Sequence, residues 1–239
     1  SAIKQTPIAL EFDQDVMSWD ENRVDAGRGL NYPAELIPDE IVSEGIVFKI
    51  GNKEDEKMNA LAANGQTIKL PEGNYKKVYI LAAAMRETEG EFTVGESKQN
   101  IKFASWNGFF GQHYNRVLAE DDIEVLSITK PFLNKDNIAW FASHNHIGYP
   151  SQNNTYNYCY MYKYEINVPE GATSITLPTP QMPQMRPGMQ IPAQFMRRGA
   201  FSSIRIMAMT AVGDNGDSIS VTTPLYDDFS NAIVPEIRK

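Results

Sequence analysis

The chain of 239 residues carries 22 basic and 30 acidic side chains, which gives a formal net charge of −8 at pH 7. This balance argues against a nucleic-acid surface, because phosphate binding needs clustered Lys and Arg. No unbroken apolar run reaches the ~18 residues of a membrane span. The length suits one large β-sandwich with a sizeable core.

The N-terminal part alternates short strands with a long polar loop. A strand is predicted from Thr6 to Phe12, followed by an acidic loop up to Pro38. That loop is too long and too polar for a hairpin turn, so we expect side-chain contacts or a ligand to hold it. Asp39 to Glu44 is the best candidate for a short helical turn, and Gly45 to Gly51 for a strand.

The middle of the chain predicts a central strand. Tyr75 to Ala84 is apolar on both parities from Val78 onward, which is typical of a strand covered on each face. Further short strands are predicted at Thr67 to Leu70, Glu91 to Gly95, Gln99 to Ala104, Ile123 to Ile128 and Ser202 to Val212.

Two apolar runs flank a polar loop between Ile138 and Val168. In the second run, one parity holds Tyr156, Tyr158, Tyr160, Tyr162, Tyr164, Ile166 and Val168. Strict alternation is the period of a strand with one buried face, so we predict a long strand with an aromatic face. The chain's single cysteine, Cys159, falls on the other parity and is interpreted as a buried, inert thiol.

About eleven strand candidates and no long amphipathic helix predict an all-β fold, a two-sheet antiparallel β-sandwich of the jelly-roll or galactose-binding-like kind. We expect a single domain over residues 1–212 with a Pro- and Met-rich insertion at 178–203. Residues 213–239 are expected to form an irregular C-terminal tail.

His144-Asn145-His146 is the first candidate site. An H-x-H pair on an extended segment points both imidazoles to one side, as in the metal sites of cupin-type sandwiches. A catalytic metal normally has at least three protein ligands, and no Asp or Glu follows nearby. We therefore interpret the pair as hydrogen-bonding residues of an ordered loop, with a metal-dependent, cupin-like enzyme as the less favoured reading.

An acidic cluster in the first loop is the second candidate. Closely spaced oxygen ligands can wrap a structural Ca²⁺, which takes six to eight oxygens in flexible geometry. The alternative is that these carboxylates cap turns and pair with neighbouring arginines. The cluster comprises Asp13, Asp15, Asp20, Asn22 and Asp25.

The segment Trp106 to Arg116 is the third candidate. Exposed aromatic planes stack on sugar faces, and amide, imidazole and guanidinium groups bond hydroxyls. The alternative is a glycine-bent strand whose aromatic rings enter the core. The candidate ligand-binding set, with the histidine loop included, is Trp106, Asn107, Gln112, His113, Arg116, His144, Asn145 and His146.

No familiar catalytic motif is present. The chain lacks the G-x-S-x-G elbow, the phosphate-binding loop, the dinucleotide fingerprint and H-E-x-x-H. We therefore predict no catalytic residue, and no cofactor beyond a structural calcium.

Several blocks in register carry a resemblance to a known family. They lie at Asp20 to Gly27, Tyr32 to Pro38, Asn59 to Ala84, Glu91 to Gly95, Trp106 to Gln112, Ile138 to His146, Tyr162 to Pro178 and Ile204 to Val212. Together they resemble the C-terminal β-sandwich region of bacterial glycoside hydrolase family 38 α-mannosidases. One departure is the insertion from Thr179 to Ser203, which could be a docking surface or a mobile loop.

The resemblance implies a module of a retaining exo-α-mannosidase. In that family the zinc ligands and the aspartate nucleophile, including an H-x-D motif, belong to an N-terminal catalytic domain, and this chain has no H-x-D. We expect a non-catalytic accessory domain that packs against a catalytic part of the same or a parent polypeptide and contacts mannose-containing glycan. A free-standing carbohydrate-binding module is the alternative, and extracytoplasmic residence would fit either role.

Overall fold

A computed structural model describes residues 4–19, 29–108, 114–119, 122–128, 137–146, 154–181, 188 and 201–213 of the chain. Within these ranges the fold is almost entirely β, with one 3₁₀ helix at Ala34–Leu36. The strands are β1 (Gln5–Pro7), β2 (Met17–Ser18), β3 (Tyr32–Pro33), β4 (Glu40–Ser43), β5 (Ile46–Lys49), β6 (Leu61–Ala62), β7 (Thr67–Lys69), β8 (Tyr75–Ala84), β9 (Thr88–Val94), β10 (Ser97–Phe103), β11 (Asn107–Gly108), β12 (Tyr114–Ala119), β13 (Asp122–Ile128), β14 (Ile138–Asn145), β15 (Asn154–Asn167), β16 (Ser174–Thr176) and β17 (Ile204–Gly213).

A seven-stranded antiparallel sheet forms the centre of the molecule. Its strand order is β1-β17-β8-β15-β11, with β14 also paired to β15 and β6 to β17. A second antiparallel sheet has the order β10-β9-β16-β7. The predicted all-β, antiparallel sandwich is therefore confirmed.

Both faces of the central sheet are covered. On β8, Val78, Ile80 and Ala82 belong to the core cluster that includes Phe92 of β9 and Ile175 of β16. The intervening side chains of β8, such as Leu81, belong to a separate cluster with apolar residues of β2 to β5. The N-terminal elements thus form a third layer, opposite the four-stranded sheet, and β8 is the doubly covered central strand that its sequence predicts.

The tyrosine strand is confirmed as β15, but the expectation of one buried face is wrong in its middle. Tyr160 and Tyr162 are buried, and so are Cys159, Met161 and Lys163 on the other parity. The reason is that β15 lies between β8 and β14 in a sheet covered on both sides. Among the described side chains of the second face, those of Glu165 and Asn167 are exposed.

The predicted helical turn at Asp39 to Glu44 is also wrong. Glu40 to Ser43 of this segment form β4, whose burial alternates and which pairs with β5 in a hairpin. Glu44 and Gly45, the two turn residues, both have positive φ, at 49° and 81°. This is the conformation of a type I′ hairpin turn, whose twist matches that of the flanking strands.

The remaining expectations concern domain limits and the membrane. β17 lies in the central sheet beside β1 and β8. Most of the insertion at 178–203 and all of 214–239 lie outside the described residues, so the division into one domain and a tail stays a prediction. None of the helical structure in the described ranges is long and apolar enough to cross a membrane.

Candidate metal centre

Glu35, His144 and His146 meet at the edge of the central sheet. Glu35 Oε1 lies 3.0 Å from His144 Nε2 and 3.0 Å from His146 Nε2. One ligand-capable atom from each of the three side chains lies within 4.8 Å of the other two. A carboxylate oxygen is therefore shared between two imidazoles that come from a distant part of the chain.

The two histidines are aligned by the strand that carries them. His144 is in β14 and His146 directly follows its end, so the i, i+2 spacing places both rings on one side. Their rings stack at 25° with centroids 5.7 Å apart. Both Nε2 atoms therefore face the same carboxylate.

Glu35 is positioned by β3 and the 3₁₀ helix that follows it. The neighbouring Tyr32 donates from its hydroxyl to the Tyr160 carbonyl of β15 at 2.7 Å and packs edge-on against Trp106 and Trp140. Burial raises the pKa of Tyr32, so its hydroxyl stays a neutral donor. These contacts fix β3 against the central sheet and hold the 3₁₀ helix beside β14.

His146 makes hydrogen-bond contacts through both ring nitrogens and through its backbone. Its Nδ1 lies 2.9 Å from Ser18 Oγ. Its backbone N–H donates to the Asn31 carbonyl, and its own carbonyl accepts from the Asn31 amide, both at 3.1 Å. The imidazole is only 2% exposed, so its orientation toward Glu35 is set by packing as well as by hydrogen bonds.

The centre opens to solvent on one side. The side chain of His144 is 15% exposed and that of Glu35 is 34% exposed, in contrast to buried His146. If both Nε2 atoms carry protons, the Glu35 oxygen accepts from each, and His146 Nδ1 accepts from the Ser18 hydroxyl. The same three atoms, two imidazole nitrogens and one carboxylate oxygen, are a common donor set for divalent transition metals.

Most of the chain matches a known β-sandwich family. Residues 4–182 match the AziU2-like β-sandwich domain. The chain belongs to this family. No curated protein matches the sequence. The AziU2-like domain spans Glu35, His144 and His146 and supports the sandwich part of the α-mannosidase resemblance, whereas the glycoside hydrolase part stays a prediction.

The sequence interpretation of the histidine pair missed its carboxylate. It expected a ligand a few residues away, but in this AziU2-like domain Glu35 lies 109 positions before His144. Ser18 and Asn31 were missed for the same reason. The one available signal was the long loop of residues 12–38, predicted to be held by side-chain contacts or a ligand, since its described parts contribute Ser18, Asn31 and Glu35.

Asn145 differs from its two neighbours. It is completely buried, and its side-chain amide donates to the Asn157 carbonyl at 3.1 Å. Strand alternation turns it away from the histidine side. Asn145 therefore lies outside the group formed by the two histidines, and its predicted role in ligand binding stays a prediction.

The predicted aromatic platform is not formed by Trp106. The residue is 3% exposed and belongs to the core, in edge contact with Tyr32. The alternative that its ring enters the core is correct. Asn107 is half-buried in β11, opposite Cys159. Gln112, His113 and the side chain of Arg116 lie outside the described residues.

In the described part of the acidic loop, the carboxylates of Asp13 and Asp15 accept hydrogen bonds from other groups of the chain. Asp13 accepts from the Ala62 N–H at 3.0 Å, and Asp15 accepts from the Met17 N–H and the Asn59 amide. The contact of Asp15 with Met17 is that of the turn-capping alternative, whereas the bonds to Ala62 and Asn59 tie the loop to β6 and the residues just before it. Three members of the proposed calcium set lie outside the described residues, namely Asp20, Asn22 and Asp25, so calcium binding stays a prediction.

Cys159 lies directly beneath the centre. Its Sγ donates to the His144 carbonyl at 3.3 Å, and the residue is fully buried. Burial raises the pKa of the thiol strongly, because a thiolate would be desolvated there. The prediction of a buried thiol is confirmed.

Proposed function

We propose that the chain is a non-catalytic accessory domain of an α-mannosidase-like glycoside hydrolase, packing against the catalytic part and contacting glycan at its rim. The sequence blocks that resemble such enzymes support the scaffold part of this proposal. Asn59 to Ala84 covers β6, β7 and β8, and Ile204 to Val212 lies in β17. The resemblance therefore lies mainly in framework strands. Support for a sugar contact has to come from residues exposed at the surface.

The observation that carries the glycan contact is an exposed indole whose N–H is held by a backbone carbonyl. Trp19 is 54% exposed, and its N–H donates to the Lys53 carbonyl at 2.8 Å. It directly follows Ser18, which contacts His146. An exposed aromatic face whose orientation is fixed by a hydrogen bond is a common component of a sugar site.

Lys53, whose carbonyl accepts the hydrogen bond from Trp19, is itself held by contacts of its ammonium group. Its ammonium donates to the Ile37 carbonyl at 2.7 Å and pairs with Asp39 at 2.9 Å. The backbone that accepts from Trp19 is thereby tied to the segment after Glu35. Trp19 thus replaces Trp106 as the aromatic residue of the proposed glycan contact.

Titration of the ¹⁵N-labelled chain with methyl α-mannoside and α-linked mannobiose, followed by NMR chemical shifts, tests the contact. We expect saturable shifts near Ser18 and Trp19 in the wild type. Trp19→Ala should weaken binding at least about 10-fold, since truncating an aromatic anchor typically costs more than 1 kcal/mol. Met58→Ala, at another exposed apolar side chain, is the matched control and should bind as the wild type.

Two results would contradict the glycan contact. One is a wild-type spectrum unchanged by any mannoside. The other is binding that Trp19→Ala leaves intact. The competing proposal of a free-standing carbohydrate-binding module predicts the same titration, and the presence of a catalytic domain in the same reading frame distinguishes the two.

A further inference from the structure

We propose that Glu35, His144 and His146 bind one divalent first-row transition-metal ion. This inference is independent of the glycan contact, because it concerns three side chains and a cation whether or not sugar binds nearby. It assigns a metal centre to two histidines that the sequence favoured as hydrogen-bonding residues over metal ligands, and to a glutamate that the sequence did not single out.

The separations of the ligand atoms fit a single ion. Two donor atoms that are each about 2.1 Å from a metal lie about 3.0 Å apart at a right angle and about 3.4 Å apart at a tetrahedral angle. Glu35 Oε1 lies 3.0 Å from each Nε2. All three ligand atoms are also mutually within 4.8 Å. Each imidazole nitrogen thus already lies at the separation from the Glu35 oxygen that two ligands of one ion have.

The surroundings of the centre resemble those that orient metal ligands. A metal-bound histidine usually engages its second ring nitrogen with a polar partner, which fixes the tautomer and the ring plane. His146 has this arrangement, with Nδ1 at 2.9 Å from Ser18 Oγ and Nε2 directed at Glu35. Asn31 fixes the backbone of His146 from both directions. The ligand geometry is thus set before an ion arrives.

The donor set selects the class of metal. Two imidazole nitrogens with one carboxylate suit Zn²⁺ and Fe²⁺, whereas Ca²⁺ and Mg²⁺ prefer oxygen ligands throughout. Three protein ligands leave at least one coordination position open. The partial exposure of Glu35 and His144 places that open side toward solvent.

Isothermal titration of the chelator-treated full chain with Zn²⁺ tests the proposal. We expect one equivalent to bind with a micromolar or lower Kd. Glu35→Gln keeps the shape of a half-exposed side chain while removing its charge, and should weaken binding by at least about 100-fold, more than the loss of an outer-shell partner. Ser18→Ala should weaken it about 10-fold through the loss of ring orientation. Mg²⁺ should give no saturable heat.

His113→Ala is the matched control, because it removes the only other histidine of the chain. It should bind Zn²⁺ as the wild type does. Thermal unfolding without metal verifies that each variant is folded. An absence of stoichiometric zinc binding in the wild type, undiminished binding in Glu35→Gln, or loss of binding in His113→Ala would each overturn the proposal.

Discussion

The ammonium group of Lys163 lies in the buried interior, between β15 and the β4–β5 hairpin. It donates to the Ser43 carbonyl at 3.2 Å, pairs with the Glu44 carboxylate and lies 5.6 Å from the centre of the Tyr79 ring. A buried cation is tolerated only when such partners replace its hydration. The hydrogen bond from Lys163 is also the main reason that the pKa of Glu44 is lowered.

Glu44→Gln should destabilise the fold at neutral pH. Because the folded-state pKa of Glu44 is depressed, its contribution is present above the pKa of the unfolded chain and disappears as the pH falls through the folded value. We expect a loss of about 1 kcal/mol at about pH 7, discounted for the partial exposure of the carboxylate, and a smaller loss at about pH 3.

Urea denaturation of both proteins at the two pH values measures this difference. Glu40→Gln, on the exposed side of β4, is the control and should change stability by less than about 0.5 kcal/mol. An equal effect of Glu44→Gln at both pH values would show that the ion pair does not cause it.

At the residue scale, the histidines of the candidate centre could be predicted from the sequence, and their carboxylate could not. Because side chains alternate along a strand, the two histidines of H-x-H lie on the same side, and this depends only on the local sequence. Glu35 joins the pair only because β3 packs against the central sheet, and no local pattern encodes that contact. The burial of Trp106 likewise depends on Tyr32, which lies far away in the sequence.

At the scale of elements, the two main sheets approach each other closely at Gly90 of β9. A Cβ atom built there would lie 2.6 Å from Pro178 Cγ and 2.9 Å from Ile204 Cδ1, the latter on β17 of the central sheet. Separations below 3.0 Å force neighbouring atoms to move. The absence of a side chain at this residue therefore permits the packing distance between the sheets.

Gly90→Ala should destabilise the fold by about 1–3 kcal/mol, the usual effect of overpacking a core. Glu89→Ala, at the exposed neighbouring residue of β9, should change stability by no more than about 0.5 kcal/mol. Urea denaturation of the two variants and the wild type checks both values. Wild-type stability in Gly90→Ala would contradict the close approach of the sheets.

The strands also differ in how well the sequence predicts them. β8 was predicted to the residue, because its apolar run is long and flanked by a turn. β4 was missed because it has only four residues, two of which are exposed. Its turn of Glu44 and Gly45 relies on positive φ at a glutamate, which is uncommon enough to mislead a reading of turn residues.

At the scale of the whole molecule, the β-sandwich class could be predicted from the alternation of apolar and polar residues, but the number of layers could not. The sequence predicts two sheets, yet the N-terminal elements cover the second face of the central sheet with residues such as Met17, Tyr32 and Phe48. The candidate centre lies where this third layer meets β14. Its three ligands therefore connect two layers of the AziU2-like sandwich.

The position of a bound ion tests this account most directly. Crystals of the zinc-loaded chain, measured at the zinc absorption edge, should give one strong anomalous peak about 2.1 Å from Glu35, His144 Nε2 and His146 Nε2. A peak located elsewhere, or none at these three side chains, would contradict the assignment of the centre.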